Sequence, residues 1–438
     1  MSRISRRSFM KSAVLASASF GVSRALVFPA PGYARELNVN SKLNLAHVGL
    51  GGMQGDFHRS SCAQENRVAI CDVDESFLAK YGEQIPDAKR FVDFREMYEQ
   101  MGDQIDAVVI TTPDHTHAIA AIEAMKRGIA AYVEKPLAHD VYQIRQMQKL
   151  AREKNLATQM GTQIHALDNY RRVVELVRAG AVGKIERVDV WCGVVWGGSP
   201  RTTDAVEIPK TLHWDLWLGP APERPYQPCY FGGNWRSFWD FGNGGMGDMG
   251  CHFMDLVFWA LDLKYPKTIA ASAPTEADSD FAARDLHVEY EFPGVDGTTD
   301  PLIVTWSDGA AQPESLEKYG LGNKGNGVLF IGSEGALYSN YSEHALLPTE
   351  KFADFKRPEQ TIPASIGHHN EWIKAVKTGD ATTCNFDYSG RLAETILLGP
   401  VAYRCGKKLE YDAETMTVTN CDEAAKYLKQ DVRKGWEV

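Results

Sequence analysis

The segment between Leu43 and Asp72 constrains the fold of this chain more than any other. An apolar run at 43–48 is followed at once by Gly49-Leu50-Gly51-Gly52-Met53-Gln54-Gly55, and a second apolar run at 67–71 ends in Asp72. This order is typical of a strand–loop–helix–strand unit that binds a dinucleotide, because the glycines allow a tight turn and let a diphosphate approach a helix N-terminus. The match is incomplete, since Gln54 stands at the third glycine position of the usual pattern and Gly55 follows one position late.

Asp72 also predicts which dinucleotide this unit binds. It follows the second glycine by about 20 residues, the spacing at which an acidic side chain accepts hydrogen bonds from the ribose hydroxyls. A carboxylate there repels a 2′-phosphate, so the sequence favours NAD over NADP. The competing interpretation is a glycine-rich turn in some other α/β protein.

Apolar runs and helical segments continue to alternate up to about residue 165. Residues 106–110 and 130–133 have the continuous apolar character of parallel strands that are covered on both faces. The second of these runs is followed by Glu134-Lys135-Pro136, and ligands of doubly wound sheets bind at this end of the strands. We therefore predict a Rossmann domain over 41–165, with a doubly wound parallel sheet and an NAD site formed by Gly49, Gly51, Gly52, Met53, Gln54, Asp72, Thr112, Pro113, His117, Glu134 and Lys135.

The rest of the chain, 166–438, shows the pattern of a second sheet domain. Alternating or apolar runs are followed by a hairpin turn at Gly332-Ser333-Glu334-Gly335 that leads into 336–339. Residues 392–404 are expected to form a helix, kinked at Gly399-Pro400. The strand-like runs lie at 185–195, 268–272, 286–292, 302–306 and 328–331.

The N-terminus and the composition narrow the functional classes. Ser5-Arg6-Arg7-Ser8-Phe9-Met10-Lys11 precedes a mildly apolar stretch and small residues near Ala34, which predicts a twin-arginine export signal over 1–34 and a periplasmic protein. A basic tail with an amphipathic helix is the alternative. The net charge of −10 argues against nucleic acid as a partner, and no later stretch is apolar enough for a membrane span.

Three side chains are candidates for acid–base chemistry on an alcohol. Asp248 and His252 are four residues apart on the helix expected after the flexible turn Asn243–Gly247, and the carboxylate can orient the ring. His252 suits the role of proton acceptor, while Lys135 can stabilise the forming alkoxide. Each residue taken alone also fits a structural role. Asp255 extends this face, but without further His or Cys at ligand spacing we expect no metal.

These motifs resemble the Gfo/Idh/MocA family, named for glucose–fructose oxidoreductase and inositol dehydrogenase. The glycine loop, Glu134-Lys135-Pro136 and the run Gly247–Asp255 stand in the family's order from about Lys42 to the C-terminus. Trp214–Pro220 and Arg433–Trp436 are similar to an exported bacterial branch. The resemblance implies a C-terminal α+β domain with a large open, mostly antiparallel sheet, a homodimer or homotetramer, and catalytic positions at Lys135, Asp248 and His252.

The substrate is expected to be a small carbohydrate. Seven of the ten tryptophans lie between Trp191 and Trp259, and aromatic faces stack on sugar rings, although they can equally fill a core. The leading hypothesis is an NAD-dependent oxidoreductase of a secondary alcohol in a sugar, polyol or glycoside, with a retained, internally recycled cofactor. The alternatives are an NAD-dependent glycoside hydrolase or lyase and a non-catalytic sugar-binding protein. The predicted substrate contacts are Gln163, His165, Trp235, Asp248 and His252.

Overall fold

The N-terminal sheet has the strand order that the glycine-loop unit predicts. The computed structural model describes residues 40–198, 200–202, 204, 206–322 and 324–437, so the predicted export signal at 1–34 lies outside the described residues. Six parallel strands pair in the order β3-β2-β1-β4-β5-β6, the arrangement of a dinucleotide-binding Rossmann domain. The strands are β1 (Asn44–Val48), β2 (Asn66–Cys71), β3 (Lys89–Phe91), β4 (Ala107–Ile110), β5 (Ala130–Val133) and β6 (Thr158–Met160).

Five helices connect these strands and cover both faces of the sheet. Three of them begin at an aspartate whose side chain accepts a hydrogen bond from a main-chain N–H of the first turn, at Asp74, Asp93 and Asp140. Every residue of β4 and β5 is buried, as their apolar sequence predicts. The helices are α1 (Gly52–Ser61), α2 (Glu75–Gln84), α3 (Phe94–Met101), α4 (Asp114–Lys126) and α5 (Val141–Glu153).

The second sheet has nine strands in the order β13-β12-β11-β7-β10-β9-β8-β14-β15. Only β7 and β10 pair in parallel, and the other neighbours are antiparallel, which confirms the expected α+β domain. The hairpin turn joins β11 to β12 where it was predicted. The strands are β7 (Ile185–Cys192), β8 (Thr268–Ser272), β9 (His287–Phe292), β10 (Thr298–Asp308), β11 (Asn326–Gly332), β12 (Gly335–Ser339), β13 (His344–Leu347), β14 (Leu409–Asp412) and β15 (Thr417–Val418).

Two long helices, Gly244–Leu261 and Phe386–Cys405, lie between the sheets and join their cores. They pack against each other, and both contact strands of the large sheet. The kinked helix is longer than predicted, because Asn385 caps it with hydrogen bonds from the N–H groups of Asp387 and Tyr388. The helices of this part are α6 (Asp168–Arg178), α7 (Trp214–Leu218), α8 (Gly244–Leu261), α9 (Ser315–Lys318), α10 (His368–Thr378), α11 (Phe386–Cys405) and α12 (Ala425–Leu428).

The prediction of a flexible turn at Asn243–Gly247 is wrong, because α8 already begins at Gly244. Its glycines are there for close packing rather than for flexibility: a Cβ on Gly245 would lie 3.0 Å from the Asp308 carboxylate and 3.1 Å from the Val194 carbonyl oxygen. Asp248 is therefore in the second turn of a packed helix. Across the described ranges, no helix is long and apolar enough to cross a membrane.

Candidate active site

The candidate site lies where the C-terminal end of β5 meets the first turns of α8. Lys135 follows β5, and its Nζ donates to Oδ1 of Asp248 at 2.5 Å and to the Asp248 main-chain oxygen at 2.9 Å. Both side chains are buried, Lys135 at 6% exposure and Asp248 at 9%. An ammonium group has three donors, so one donor of Lys135 remains for another oxygen atom.

Two further donors fix the Asp248 carboxylate. Nε1 of Trp196 donates to Oδ2 at 2.7 Å, and Nε of Arg236 lies 3.1 Å from Oδ1. Burial alone would raise the pKa of Asp248, but the charges of Lys135 and Arg236 hold that pKa well below its usual value. Asp248 is therefore a permanent anion that positions Lys135 and Arg236.

His252 lies one turn further along α8 and keeps a free ring nitrogen. Its main-chain oxygen accepts a hydrogen bond from the Tyr170 hydroxyl at 3.0 Å, while in the described part of the chain the buried Nδ1 has no partner. Burial, and then the charge of Lys135, lowers the pKa of His252 to about 4. The ring is therefore neutral at pH 7. We expected the Asp248 carboxylate to orient the His252 ring. Its oxygens contact Lys135, Arg236 and Trp196 instead.

Two more buried polar groups near this centre lack partners among the described residues: the Tyr341 hydroxyl and Oδ2 of Asp114. Tyr341 lies in the turn between β12 and β13, with its ring centroid 6.2 Å from that of His252. Burial, opposed by the charge of Arg236, raises the pKa of Asp114 to about 8. Each unsatisfied buried group costs roughly 1–3 kcal/mol, and a polar ligand bound here would supply partners for those on His252, Tyr341 and Asp114. We call Lys135, Arg236, Asp248, His252 and Tyr341 the Lys135 cluster.

Sequence reasoning missed four members of this site: Trp196, Arg236, Tyr341 and Asp114. Asp114 directly follows the predicted loop residue Pro113, which was a usable signal. The other three lie in irregular segments or a turn of the second domain, where no periodicity marks them.

The glycine loop forms a cradle that fits a dinucleotide diphosphate. Gly49 has φ +85°, and a Cβ on it would lie 2.8 Å from the Thr111 carbonyl carbon. A Cβ on Gly55 would overlap the carbonyl oxygen of Leu50, so Gly55 permits the close helix–loop packing expected of the third motif glycine. At the N-terminus of α1, no described side chain caps the helix and the first turn holds no acidic residue, which leaves its N–H groups available to an anion. The side chain of Met53 lies outside the described residues.

Asp72 lies at the end of β2 beside this cradle. Its carboxylate accepts from the Leu50 N–H at 2.7 Å and from the Asp74 N–H at 2.9 Å. Burial, partly offset by these hydrogen bonds, raises the pKa of Asp72 to about 6. The carboxylate is thus held in place where the ribose is expected.

The predicted cofactor residues Thr112, Pro113 and His117 lie in or after the loop that follows β4. Nε2 of His117 lies 2.8 Å from the Thr112 carbonyl oxygen, and Nδ1 lies 2.8 Å from the Pro136 carbonyl oxygen. His117 therefore ties together the loops after β4 and β5. Its position shapes the cofactor side of the sheet, and its direct contact with NAD stays a prediction.

Glu134, the neighbour of Lys135, belongs to a different buried network. Its Oε1 accepts from Nε2 of His58 at 2.8 Å and from Nε2 of Gln163 at 2.7 Å, and Nδ1 of His58 lies 2.7 Å from Nε2 of His369. Burial would raise the pKa of Glu134, but the hydrogen bond and charge of His58 lower it to about 2. We call these residues the His58 cluster. Glu134 and Gln163 are engaged inside the protein, so these contacts give no support to their predicted binding roles.

The other two predicted substrate contacts differ from each other. Trp235 is half-buried, with the Arg236 guanidinium 4.1 Å from its ring centroid, so it lies beside the Lys135 cluster. His165 is 1% exposed, stacks on Trp259 at 3.9 Å and bonds Asp255 through Nδ1 at 2.9 Å. These contacts place His165 in the core, but its Nε2 has no partner among the described residues, so its substrate role stays a prediction.

The ligand atoms of His165, Asp255 and Cys384 lie within 4.8 Å of one another, a spacing compatible with a metal ion. The Asp255 carboxylate is already used, since it bonds Nδ1 of His165 and accepts from the Tyr388 hydroxyl at 2.7 Å. A metal on the other ring nitrogen of His165 would leave this carboxylate outside its ligand set. The cluster is therefore better explained as a hydrogen-bonded part of the core.

The family models match both halves of the chain. A model described as an oxidoreductase family NAD-binding Rossmann fold matches residues 43–162, and one described as the C-terminal alpha/beta domain of the same family matches residues 176–438. The chain belongs to the Gfo/Idh/MocA oxidoreductase family. Its Rossmann domain is an NAD-binding one, in agreement with the cradle and with Asp72.

Solved structures share this two-domain fold. The WlbA dehydrogenase from Bordetella pertussis, in complex with NADH and UDP-GlcNAcA, superposes with a TM-score of 0.60 at 15% identity, covering 85% of this chain and 99% of that one. Scyllo-inositol dehydrogenase from Lactobacillus casei, with bound NAD(H) and scyllo-inositol, gives 0.55 at 18% identity, covering 84% and 99%.

A curated relative, glycosyl hydrolase family 109 protein 1 from Shewanella sp. (strain MR-4), is 29% identical over 212 residues. The match covers 42% of this chain and 45% of the relative. The chain thus spans about half the length of the curated relatives it matches.

Proposed function

We propose that this protein is an NAD-dependent oxidoreductase that acts on a secondary alcohol of a sugar, polyol or glycoside. One observation carries the proposal: a buried Lys135–Asp248 pair with a spare lysine donor lies beside a neutral histidine and two unpartnered polar groups. The family supports a redox reaction. The sugar nucleotide bound by the WlbA dehydrogenase and the inositol bound by the Lactobacillus casei enzyme support a polyhydroxylated substrate.

The residues of the site divide the chemistry between them. NAD, when bound, supplies the hydride acceptor. Lys135 donates a hydrogen bond to the reacting hydroxyl oxygen and stabilises the negative charge that develops there. His252 is neutral and accepts the hydroxyl proton at a ring nitrogen. Asp248 fixes the ammonium group of Lys135, and the hydroxyl of Tyr341 is available to a neighbouring hydroxyl of the substrate.

A second candidate is an NAD-dependent glycoside hydrolase or lyase, which the curated relative named as a glycosyl hydrolase favours. Oxidation of a ring hydroxyl acidifies the neighbouring C–H, so that proton is removed and the glycosidic oxygen leaves. In a hydrolase, water then adds to the resulting double bond, and the hydride returns to the carbonyl carbon. The Lys135 cluster serves the oxidation step in either case. The two candidates therefore differ in their products rather than in this part of the site.

Export is part of the proposal, on the basis of the twin-arginine sequence at 5–11. A protein exported in folded form into a compartment poor in NAD retains its cofactor. The reduced cofactor then passes its hydride on while bound, to a second sugar, to a quinone-linked partner or back to the same substrate. We therefore expect purified protein to carry NAD(H) through gel filtration, and to show little activity when free NAD is added and bulk absorbance is followed.

One experiment tests the proposal and separates the two candidates. The nucleotide released on denaturation is identified, and the loaded protein is then incubated with candidate glycosides and polyols in D₂O. An oxidoreductase gives a ketone or a second reduced product without loss of the glycosidic bond. A hydrolase cleaves the glycoside and places deuterium on the carbon next to the oxidised one, whereas a lyase cleaves it and leaves a double bond at that carbon. If protein without bound dinucleotide turned over steadily with added NAD, the proposal that the cofactor is retained and recycled on the enzyme would be contradicted.

The choice of NAD is tested by Asp72→Ala. Removing the carboxylate ends its repulsion of a 2′-phosphate, so discrimination against NADP should weaken. Equal affinity of the unmodified protein for both dinucleotides would contradict this assignment.

A further inference from the structure

A short segment of the second domain lies against the loop that follows Asp72. The Glu75 N–H donates to the Thr211 carbonyl oxygen at 2.9 Å, and the His213 N–H donates to the Val73 carbonyl oxygen at 2.9 Å. Asp74 and Leu212 face each other between these bonds as an antiparallel bridge. We call residues 209–213 the strap. It forms a short antiparallel pairing with residues 73–75.

Side chains reinforce this pairing on both sides. Nε2 of His213 lies 2.7 Å from Oε1 of Glu75 at the surface. Leu212 is 7% exposed and packs with Val73 in an apolar cluster that continues into α7. The other residues of that cluster are mostly aromatic and include Trp214, Trp217, Tyr230, Phe238 and Phe241.

The far end of α7 is fixed as well. Nε of Arg433 donates to the Gly219 carbonyl oxygen at 2.8 Å, and Nη1 of Arg433 bonds the Asp215 carboxylate at 2.6 Å. On the N-terminal side of the strap, Val206 and Ile208 are about 40% exposed. The strap is thus anchored firmly at its C-terminal end, and its contact with residues 73–75 is the part that can open.

We propose that the strap is part of the NAD site and limits the rate at which the cofactor leaves. This inference rests on the proposed function, because it concerns the same cofactor site. The three residues paired with the strap directly follow Asp72, the residue placed to bind the adenosine ribose. While the pairing is intact, this edge of the cradle is closed by the second domain. Opening it requires breaking two main-chain hydrogen bonds and exposing Leu212.

His213→Pro removes one of these bonds with little change in backbone shape. His213 has φ −82°, close to the value that proline fixes, and it precedes the first residue of α7, where proline is tolerated. His213→Ala is the matched control, because it loses the surface contact with Glu75 but keeps the N–H donor. The expected effect of the alanine variant is small, since exposed ion pairs contribute little.

The measurement is the dissociation rate of NADH from loaded protein, followed by the loss of bound-NADH fluorescence after a chase with excess NAD⁺. We expect His213→Pro to release NADH roughly fivefold to tenfold faster than the unmodified protein, the factor that one hydrogen bond provides. His213→Ala should stay within about twofold. Equal rates for the proline variant and the unmodified protein would overturn the role of the strap while leaving the proposed function intact.

Hydrogen exchange on the unmodified protein provides a test that needs no variant. The amides of Glu75 and His213 should exchange more slowly in NAD-loaded protein than in charcoal-stripped protein, because bound cofactor and closed strap favour each other. Identical exchange in the two states would also overturn the proposal. Protein that binds no NADH under any condition would refute the proposed function together with the strap.

Discussion

Glu134 and Lys135 are adjacent in the sequence, yet they belong to two buried polar clusters of opposite character. In the His58 cluster, the Glu134 carboxylate bonds His58 and Gln163, and His58 bonds His369. In the Lys135 cluster, Asp248 is fully engaged, Lys135 keeps a spare donor, and His252 and Tyr341 each have a polar atom without a partner among the described residues. The first network connects segments of the protein to each other, and the second keeps hydrogen-bonding groups available for a ligand.

The difference shows how to separate a functional polar cluster from a structural one. Burial does not separate them, since Glu134 is 5% exposed and Lys135 is 6% exposed. A perturbed pKa does not separate them either, because nearby charges and hydrogen bonds outweigh the effect of burial and lower the pKa of both Glu134 and Asp248. What separates them is unused hydrogen-bonding capacity at the Lys135 cluster, which costs stability unless a ligand uses it.

The largest effect should come from Lys135→Ala. This change removes the donor that stabilises the developing alkoxide, so kcat on an identified substrate should fall about 10³-fold. Bound NAD(H) should be retained, while the free energy of unfolding should fall by about 1–3 kcal/mol, because Asp248 loses its nearest cation but keeps its contacts with Arg236 and Trp196. Lys149→Ala, at an exposed lysine of α5, is the control and should keep full activity. Near-native turnover of the Lys135 variant would remove the functional distinction between the two clusters.

Both clusters contain histidines that the fold keeps neutral, and this predicts acid lability. Below pH 6.5 the unfolded chain binds protons that these buried rings cannot bind, so stability falls as the pH drops from 6.5 toward 4. Burial is the leading cause in each case. The pKa is lowered to about 3 or 4 for His47, His115, His139, His252, His368 and His369.

Four buried carboxyls oppose this trend, because their raised pKa values keep them largely protonated in the folded protein near pH 5: Asp72, Asp114, Asp140 and Asp308. The histidines outnumber these carboxyls, so unfolding near pH 5 takes up protons. Stability should therefore fall as the pH drops from 7 to 5, by about 1.4 kcal/mol per pH unit for each net proton taken up. Urea unfolding at pH 7, 6 and 5 measures this slope. A free energy of unfolding that is constant over this range would contradict neutral burial of the histidines.

The fold was largely predictable from the sequence, because its signals are local. The glycine loop, the apolar parallel strands and the hairpin at Gly332–Gly335 each depend on a few consecutive residues. The start of α8 was not predictable in this way. Its glycines were interpreted as a flexible turn, whereas Gly245 allows close packing against Asp308 and Val194, which are distant in sequence.

The site was predictable only in part, for the same physical reason. Motif order indicated Lys135 and the helix that carries Asp248 and His252. It could not show that Asp248 bonds Lys135, Arg236 and Trp196 rather than orienting His252, because three separate segments meet there. Nor could it show that Gln163 joins the His58 cluster, since the bonding partner of an amide depends on tertiary structure.

Glu134→Gln tests the structural character of the His58 cluster. The Gln oxygen can still accept from His58 and Gln163, but its NH₂ group faces the Lys135 N–H, which lies 3.4 Å from Oε2 of Glu134. The charge is also lost, so the variant should be less stable by about 2–3 kcal/mol in urea unfolding, with turnover within about threefold. Glu153→Gln, at an exposed position of α5, is the matched control. Unchanged stability together with lost NAD binding would show that Glu134 binds the cofactor, as the sequence predicted.

The smallest effects, and the most direct comparison, come from two tyrosines that differ in whether their hydroxyls are bonded. Tyr388 donates to the buried Asp255 carboxylate at 2.7 Å, while within the described residues the Tyr341 hydroxyl has no partner. Replacement by phenylalanine removes the same oxygen from each. Tyr388→Phe deprives a buried carboxylate of a donor and should cost about 1.5 kcal/mol of stability without affecting turnover.

Tyr341→Phe should give the reverse result. The phenylalanine ring keeps the stacking on Phe253, whose centroid lies 4.7 Å away, and no intramolecular hydrogen bond is lost, so the free energy of unfolding should change by less than about 0.5 kcal/mol. If the hydroxyl binds a substrate hydroxyl, kcat/KM should fall about tenfold, equivalent to about 1.4 kcal/mol of transition-state stabilisation. Measured together, stability should fall only for Tyr388→Phe and kcat/KM only for Tyr341→Phe. If each variant lost stability and kcat/KM in the same proportion, the Tyr341 hydroxyl would affect activity only by stabilising the fold, as the Tyr388 hydroxyl does. An unpartnered hydroxyl would then not identify the site.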